Sequence, residues 1–336
     1  MSSATMQDVA EKAGVSVATV SRVLNGSDKV IDETRERVLQ ACQDLDYNLH
    51  PTAQRLRLGK TNTIGVLLPF LTLPSIVERL RGVQEALLNS QYDLIPFSVG
   101  SPETRDFRLH ELSNKSRADG LLIISMPINV QQAERLQSNQ MPVVLIDSEH
   151  PEFNRVNVDD KKGGRMATDH LLSLGHTKIA FISSFLDNPL QFSSTKKRYE
   201  GYYEALQQAD IKIDPRYQVE GHHGRKEAEE MALNLLQIDD SPSAIFASSD
   251  TKAVGVLDAA RQLGLRVPEQ LSVIGYDNIR DAEYLNLTTI QQPLYQAGRV
   301  GGNKLLELID NPSQDSEEII LPVELVVRGT TAPPAA

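Results

Sequence analysis

From Thr61 to the end of the chain, apolar runs alternate with stretches whose apolar residues recur at the helical period. TIGVLLPF, YDLIPFS, ADGLLIIS, PVVLID, KIAFIS, SAIFAS and LSVIGYD are short, nearly continuous and rich in Val, Ile and Leu, the pattern of strands buried on both faces. Between most of them lie amphipathic segments such as SIVERLRGVQEALLNS, GGRMATDHLLSLGH, KKRYEGYYEALQQA, RKEAEEMALNLLQ and TKAVGVLDAARQLG. Strand–helix–strand alternation predicts parallel sheets covered by helices. Roughly 270 residues favour two smaller doubly wound sheets over one, with the change near Arg155–Asp160, where polar residues and the Gly163-Gly164 pair intervene.

The first 50 residues have a different texture. Thr5 with Asp8 forms a capping box and opens a helix that Gly14 ends. Ser16 caps a second helix of barely two turns, GVSVATVSRVLNG, too short to stand alone in water. Asp32 is expected to cap a third, in which Val38, Cys42 and Leu45 share a face. Val9, Ala10, Ala13, Val15, Val20, Val23 and Leu24 are the core partners that hold the short helix in place. Two helices joined by a tight glycine turn form a helix-turn-helix, whose second helix enters the DNA major groove. On its outer face Val17, Ala18 and Arg22 suit base edges, because arginine can grip guanine with two bonds and small apolar groups meet the thymine methyl. Thr5, Ser16, Thr19, Ser21 and Asn25 are candidates for phosphate contacts. From pattern alone a helical adaptor that binds no DNA stays open.

Charge changes this picture. The net charge of −11 argues against nucleic acid, but residues 1–60 hold eight Lys+Arg against eight Asp+Glu. All of the excess lies beyond them, with 26 basic against 37 acidic residues. An acidic body repels DNA while a neutral head can touch it. Residues 51–60, PTAQRLRLGK, are basic and have only Ala53, Leu56 and Leu58 to bury, so they are unstable alone and serve as a tether or as a segment that folds on a partner. The single Cys42 excludes an intrachain disulfide, the polar N-terminus does not resemble a signal peptide, and no apolar run has membrane-spanning length. A cytoplasmic protein is expected.

Catalytic signatures do not appear. Gln54 stands where a phosphate loop needs glycine, and neither a dinucleotide fingerprint nor a zinc-protease or nucleophile-elbow motif is present. The His222-His223 pair lacks a partner motif, so neither a metal nor a cofactor is expected. Doubly wound sheets bind ligands beyond the carboxyl ends of strands. Ser125, Asp147, Asp250 and Asp277 end such runs, and Arg198 begins a helix; together they could bond vicinal hydroxyls, or simply cap helices and pair with one another.

MQDVAEKAGVSVATVSRVLNGSDKVIDETRERVLQACQDLDY resembles the DNA-binding headpiece of the lactose-repressor (LacI/GalR) family of bacterial transcription regulators. The likeness continues through GKTNTIGVL, VDDKKGGRMATDHLLSLGHTKIAFI, RYEGYYEAL, SDTKAVGVLDAARQLGLRVPEQLSVIGYDN, LTTIQQP and LVVRGTT, covering nearly the whole chain in the family's order. The resemblance implies a headpiece over 1–50, a hinge over 51–60 and a periplasmic-binding-protein-like body over 61–332. The body would have one subdomain of about 61–160 plus 294–321, a second of about 161–291 plus 323–332, and a disordered tail at 333–336. It implies a homodimer on operator DNA and a small effector, a sugar or sugar phosphate, between the subdomains. The hinge would become helical on DNA with Leu56 as the minor-groove wedge, beside Ala53 and Arg57; Thr52-Ala53-Gln54-Arg55-Leu56 departs from the family's Ala-Ala-Arg-Ala-Leu. The family's effector arginine, three residues before a Gly-aromatic pair, falls on Arg198, and its strand-end polar residues on Ser249, Asp250 and Asp277. His223 stands where relatives place a stacking ring; Ser75, Ser125 and Asp159 join the candidates. Leu73-Pro74-Ser75-Ile76 replaces the family's Asn-Pro-aromatic run, so an aromatic wall is expected to be missing, which disfavours a planar effector. A solute-binding protein of an uptake system, or an enzyme on the same sheets, are the rival classes.

Overall fold

The structure, a computed structural model, describes residues 4–24, 27, 29–47, 60–312 and 315–335. The chain divides into two units, residues 1–60 and 61–336.

The first unit is built from α1 (Met6–Ala13), α2 (Val17–Leu24) and α3 (Asp32–Asp44). Both halves of the Thr5–Asp8 capping box form, and Gly14 ends α1 at φ 63°, a left-handed conformation that glycine adopts without a Cβ clash. Ser16 Oγ accepts from the Thr19 amide at 3.1 Å and caps α2. The expected cap at Asp32 is corrected: Ile31 occupies that position without a side-chain bond, and Asp32 is the first helical residue, where its charge opposes the positive helix end. Val9, Ala10, Ala13, Val20, Val23, Val38 and Ala41 form one buried cluster, so α2 persists because α1 and α3 cover its inner face. Arg37 Nη2 ties α3 to the end of α1 through the Ala13 carbonyl at 2.8 Å.

In the second unit the first lobe carries β1 (Thr63–Pro69), α4 (Pro74–Leu87), β2 (Asp93–Val99), α5 (Pro102–Leu112), β3 (Gly120–Ile124), α6 (Val130–Ser138), β4 (Val143–Ile146) and β5 (Asn154–Val158). The chain then crosses into a second lobe: α7 (Asp160–Ser173), β6 (Ile179–Ser184), α8 (Ser194–Gln208), β7 (Gln218–Gly221), α9 (Arg225–Leu236), β8 (Ala244–Ala247), α10 (Asp250–Gln262), β9 (Ser272–Asp277), α11 (Arg280–Tyr284) and β10 (Thr288–Gln291). It returns through Gln292-Pro293 into α12 (Leu294–Asp310) and β11 (Glu318–Leu321) and ends on β12 (Glu324–Val326). Two six-stranded sheets result, ordered β11-β5-β4-β3-β1-β2 and β12-β10-β9-β8-β6-β7. All described pairings are parallel except β10 with β12, a departure from the all-parallel expectation.

The seven apolar runs are β1, β2, β3, β4, β6, β8 and β9. The other five strands are short and carry polar residues. β10 shows why periodicity misses it: Thr288 and Thr289 are fully buried, with their hydroxyls bonded to Thr331 Oγ1 and Asp250 Oδ1. No described helix is long and apolar enough to cross a membrane.

Pro334 is half-buried beside Gly175, and Ala332 is clamped by a buried histidine. His176 Nε2 lies 2.8 Å from the Ala332 carbonyl, so that nitrogen carries the proton, and in the neutral ring Nδ1 accepts from Ser243 Oγ at 2.8 Å. Burial holds the His176 pKa below its ordinary value. A histidine harder to protonate in the fold than in the unfolded chain contributes fully above pH ~6.5 and loses that contribution as pH falls. His176→Gln should therefore cost about 1–3 kcal/mol near pH 8. The gap to the wild type should narrow below pH ~6.5. Urea unfolding at several pH values checks this, and a gap that widens in acid would contradict it.

Candidate functional site

At the carboxyl ends of the strands the two lobes enclose a cavity of about 270 Å³. Its walls are held in unusual backbone. Phe70, Ser125 and Asp147, each one residue past β1, β3 or β4, have φ of 46°, 55° and 54°, and Asp277 at the end of β9 has φ 120°. Non-glycine residues there cost about 1–3 kcal/mol each and persist where the surroundings over-determine them. Here the strands point these side chains into the cleft.

Arg198 occupies the base of the second lobe. Its position follows from two helices in unusually close contact: a Cβ at Gly164 on α7 would lie 2.1 Å from the Arg198 carbonyl oxygen, and one at Gly201 on α8 would lie 2.0 Å from that of Lys161. Arg198 Nε donates to Asp160 Oδ1 at 2.8 Å and Nη1 to the Ser248 carbonyl at 2.7 Å, while Asp277 Oδ1 stands 3.6 Å from Nη1. The guanidinium also sits 3.8 Å above the centre of the Tyr276 ring. Burial opposes its charge, but Asp160, Asp277 and Tyr276 outweigh that and raise its pKa further. Burial lifts the Asp277 carboxyl to about 6, against the pull of Arg198 and Arg79.

The first lobe supplies a second buried arginine that sequence inspection did not single out. Arg79, on α4, bonds Asp147 Oδ2 at 3.2 Å and Gln292 Oε1 at 3.3 Å through Nη2. Ser125 Oγ donates to the same Asp147 oxygen at 2.6 Å, and Gln292 Nε2 donates to Asp277 Oδ1 at 2.5 Å. A continuous polar chain thus runs from Arg79 through the crossover residue Gln292 to Asp277 and Arg198. Arg79 lies in an ordinary amphipathic helix, and only the fold turns it inward.

Six of the eight expected ligand residues line the cavity: Ser75, Ser125, Arg198, His223, Ser249 and Asp277. Two do not. Asp159 caps α7, accepting from the Lys162 amide at 2.9 Å. Asp250 is fully buried, accepting from Ile279 N and Thr289 Oγ1, and joins α10 to β9 and β10 as a structural carboxylate. The missing aromatic wall is also corrected. Phe70, Phe185 and Phe192 line the cavity; Phe70 and Phe192 meet edge to face at 6.1 Å, and Phe185 meets His222 at 5.2 Å. Two of these rings come from the loop after β6, where spacing carries no signal. Beneath the His222-His223 rim, fully buried Lys252 donates to the His222 carbonyl at 2.9 Å. Desolvation at the cleft and the Lys252 charge lower the His223 pKa, although its ring stays exposed at the rim.

In the three-helix unit Val17, Ala18 and Arg22 of α2 are exposed, as are Thr5 and Ser16, while Thr19 is half-buried with its hydroxyl 2.9 Å from Ser16 Oγ. The hydroxyls of Thr5 and Ser16 are already engaged in capping. Ser21, a phosphate candidate, is instead buried, with 6% of its surface exposed. Asn25, Ala53, Leu56 and Arg57 lie outside the described residues.

A helix-turn-helix unit followed by a two-lobed body with a ligand-sized cavity at its strand ends defines a ligand-responsive DNA-binding regulator. Residues 5–49 match the bacterial regulatory proteins of the lacI family, and residues 168–331 match the periplasmic binding protein-like domain. The chain is 36% identical over 330 residues to the ribose operon repressor of Haemophilus influenzae, covering 97% of this chain and 98% of that one. It is 34% identical over 331 residues to the transcriptional repressor PurR of Aliivibrio salmonicida, at the same coverage. A crystal structure of the lac repressor dimer bound to operator and the anti-inducer ONPF superposes with a TM-score of 0.83 at 29% identity, covering 98% of this chain and 100% of that one. The chain belongs to the LacI family of bacterial regulatory proteins. The solute-binding alternative is set aside, since the relatives matched along the full chain are transcription repressors.

Proposed function

We propose that this protein is a homodimeric repressor whose headpieces dock on two half-sites of a pseudo-palindromic operator, with Val17, Ala18 and Arg22 facing bases, and whose cleft takes a small neutral sugar. The cleft carries the reading. Serine hydroxyls, Asp147 and Asp277 match the donors and acceptors of a polyol. Aromatic rings cover the apolar faces of such a molecule. The contacting pairs, Phe70 with Phe192 and Phe185 with His222, meet edge to face at 71° and 90°. Both arginines already face carboxylates, which compete with a phosphate group. A relative that represses a ribose operon and a related dimer bound to operator support the reading.

Ligand that bridges the lobes alters their angle and, through the first lobes, the spacing of the paired heads. A coupling of ~1–3 kcal/mol changes operator affinity about 5- to 150-fold, and the operator must change sugar affinity by the same factor. The test is titration of the full-length protein onto its own upstream DNA, with and without a panel of neutral sugars. Specific binding modulated by one of them is expected. Indifference to that DNA at low salt, or to every sugar, refutes the reading.

A further inference from the structure

The two cleft arginines differ in what they have left to give. Arg198 spends Nε on Asp160 and Nη1 on the Ser248 carbonyl, with Asp277 beside it. Arg79 has both of its bonds on a single nitrogen, Nη2, and both are long at 3.2 and 3.3 Å. Its Nε is buried with no partner, and among the described residues nothing bonds Nη1. Yet the side chain is only 4% exposed and lines the cavity. Nε is sealed from the cleft, so the donor that an entering oxygen can reach is Nη1. The side chain is also held in place rather than free to seek solvent. A Cβ at Gly298 of α12 would lie 1.9 Å from the Arg79 carbonyl oxygen, so α12 packs directly on the backbone at that point. Gln292 and Asp147 fix the far end.

We propose that Arg79 is a specificity-determining ligand contact: from the first lobe, its guanidinium donates to one oxygen of the bound sugar, opposite Arg198, which organises the second-lobe wall. The proposal rests on the cleft being the sugar site. It assigns selection among sugars to a residue on α4, and the bond to Gln292 makes the crossover feel whether that contact is made.

Calorimetry on the full-length protein tests it. The probes are D-glucose, D-galactose, D-mannose, D-xylose, D-ribose, maltose, cellobiose and sucrose, then the monodeoxy analogues of whichever binds most tightly. The wild type should reject one analogue by roughly 10- to 100-fold, the loss expected when a charged donor loses its acceptor. Arg79→Met should bind the parent sugar weaker by that same factor and treat parent and analogue alike within about threefold. A general loosening of the lobe would weaken both sugars together and leave their ratio unchanged, and that result overturns the proposal. Should Arg79→Met fail to fold, Arg79→Lys, which keeps a cation beside Asp147 without the planar fork, is judged by the same ratio. If no sugar binds the wild type, the cleft assignment fails and this proposal with it. If sugars bind and the Arg79 variants keep full discrimination, only the role of Arg79 falls.

Discussion

Arg198→Ala is expected to destabilise the body by about 3–5 kcal/mol and to leave a protein that no longer responds to sugar. The guanidinium is 7% exposed and faces Asp160, itself 3% exposed, at 2.8 Å. Removing one member of a buried pair strands the other charge, and here Asp277 loses its cation as well. The Tyr276 ring loses the group stacked on it. Adding Asp160→Asn to Arg198→Ala should restore part of the loss, because it removes the stranded charge. Urea unfolding of the single and double variants measures this. Operator binding below the unfolding transition should persist, since the three-helix unit has its own core. A single variant as stable as the wild type, or one that still answers to sugar, would remove Arg198 from its central place.

Arg22→Ala should relax discrimination at one base pair of each half-site by ~1–3 kcal/mol while leaving other positions unchanged. The residue is exposed in the last turn of α2, on the side opposite Val20 and Val23. The headpiece should remain folded, because its seven-residue core does not include this side chain. Binding to a set of operators with single base changes reads the effect. Uniform weakening across all of them, with a salt slope lower by about 1, would move Arg22 to a phosphate.

Local chemistry was legible wherever it acts over a few residues. The Thr5 capping box, the Gly14 turn and the Ser16 cap depend on bonds spanning three or four positions, and they form as their spacing implied. Asp32 misled because an acidic residue suits the cap and the first turn alike. The strongly apolar strands and the two-sheet architecture were legible from pattern. β10 was not, because buried threonines satisfied by Thr331 and Asp250 look polar on paper.

The site divides along the same line. Strand-end residues Ser125 and Asp277, and the family's pattern at Arg198, Ser249 and His223, lead to the cavity because strand ends converge by topology; Arg198 lies in the second turn of α8 rather than at its start. Asp250 is also a strand-end carboxylate, and only the neighbouring Ile279 amide and Thr289 hydroxyl turned it into a structural strut. Arg79, Phe185 and Phe192 carried no positional signal at all.

The order of caps, glycines and apolar periods determined by itself that this chain makes a small helical head and two wound sheets, since those choices are settled among near neighbours in sequence. Which polar groups face the cleft, which are consumed within the frame, and that an arginine on α4 meets a glutamine 213 positions away were decided only when the lobes came together. Hydrogen bonding and burial at such separations depend on three-dimensional proximity, which no local pattern encodes.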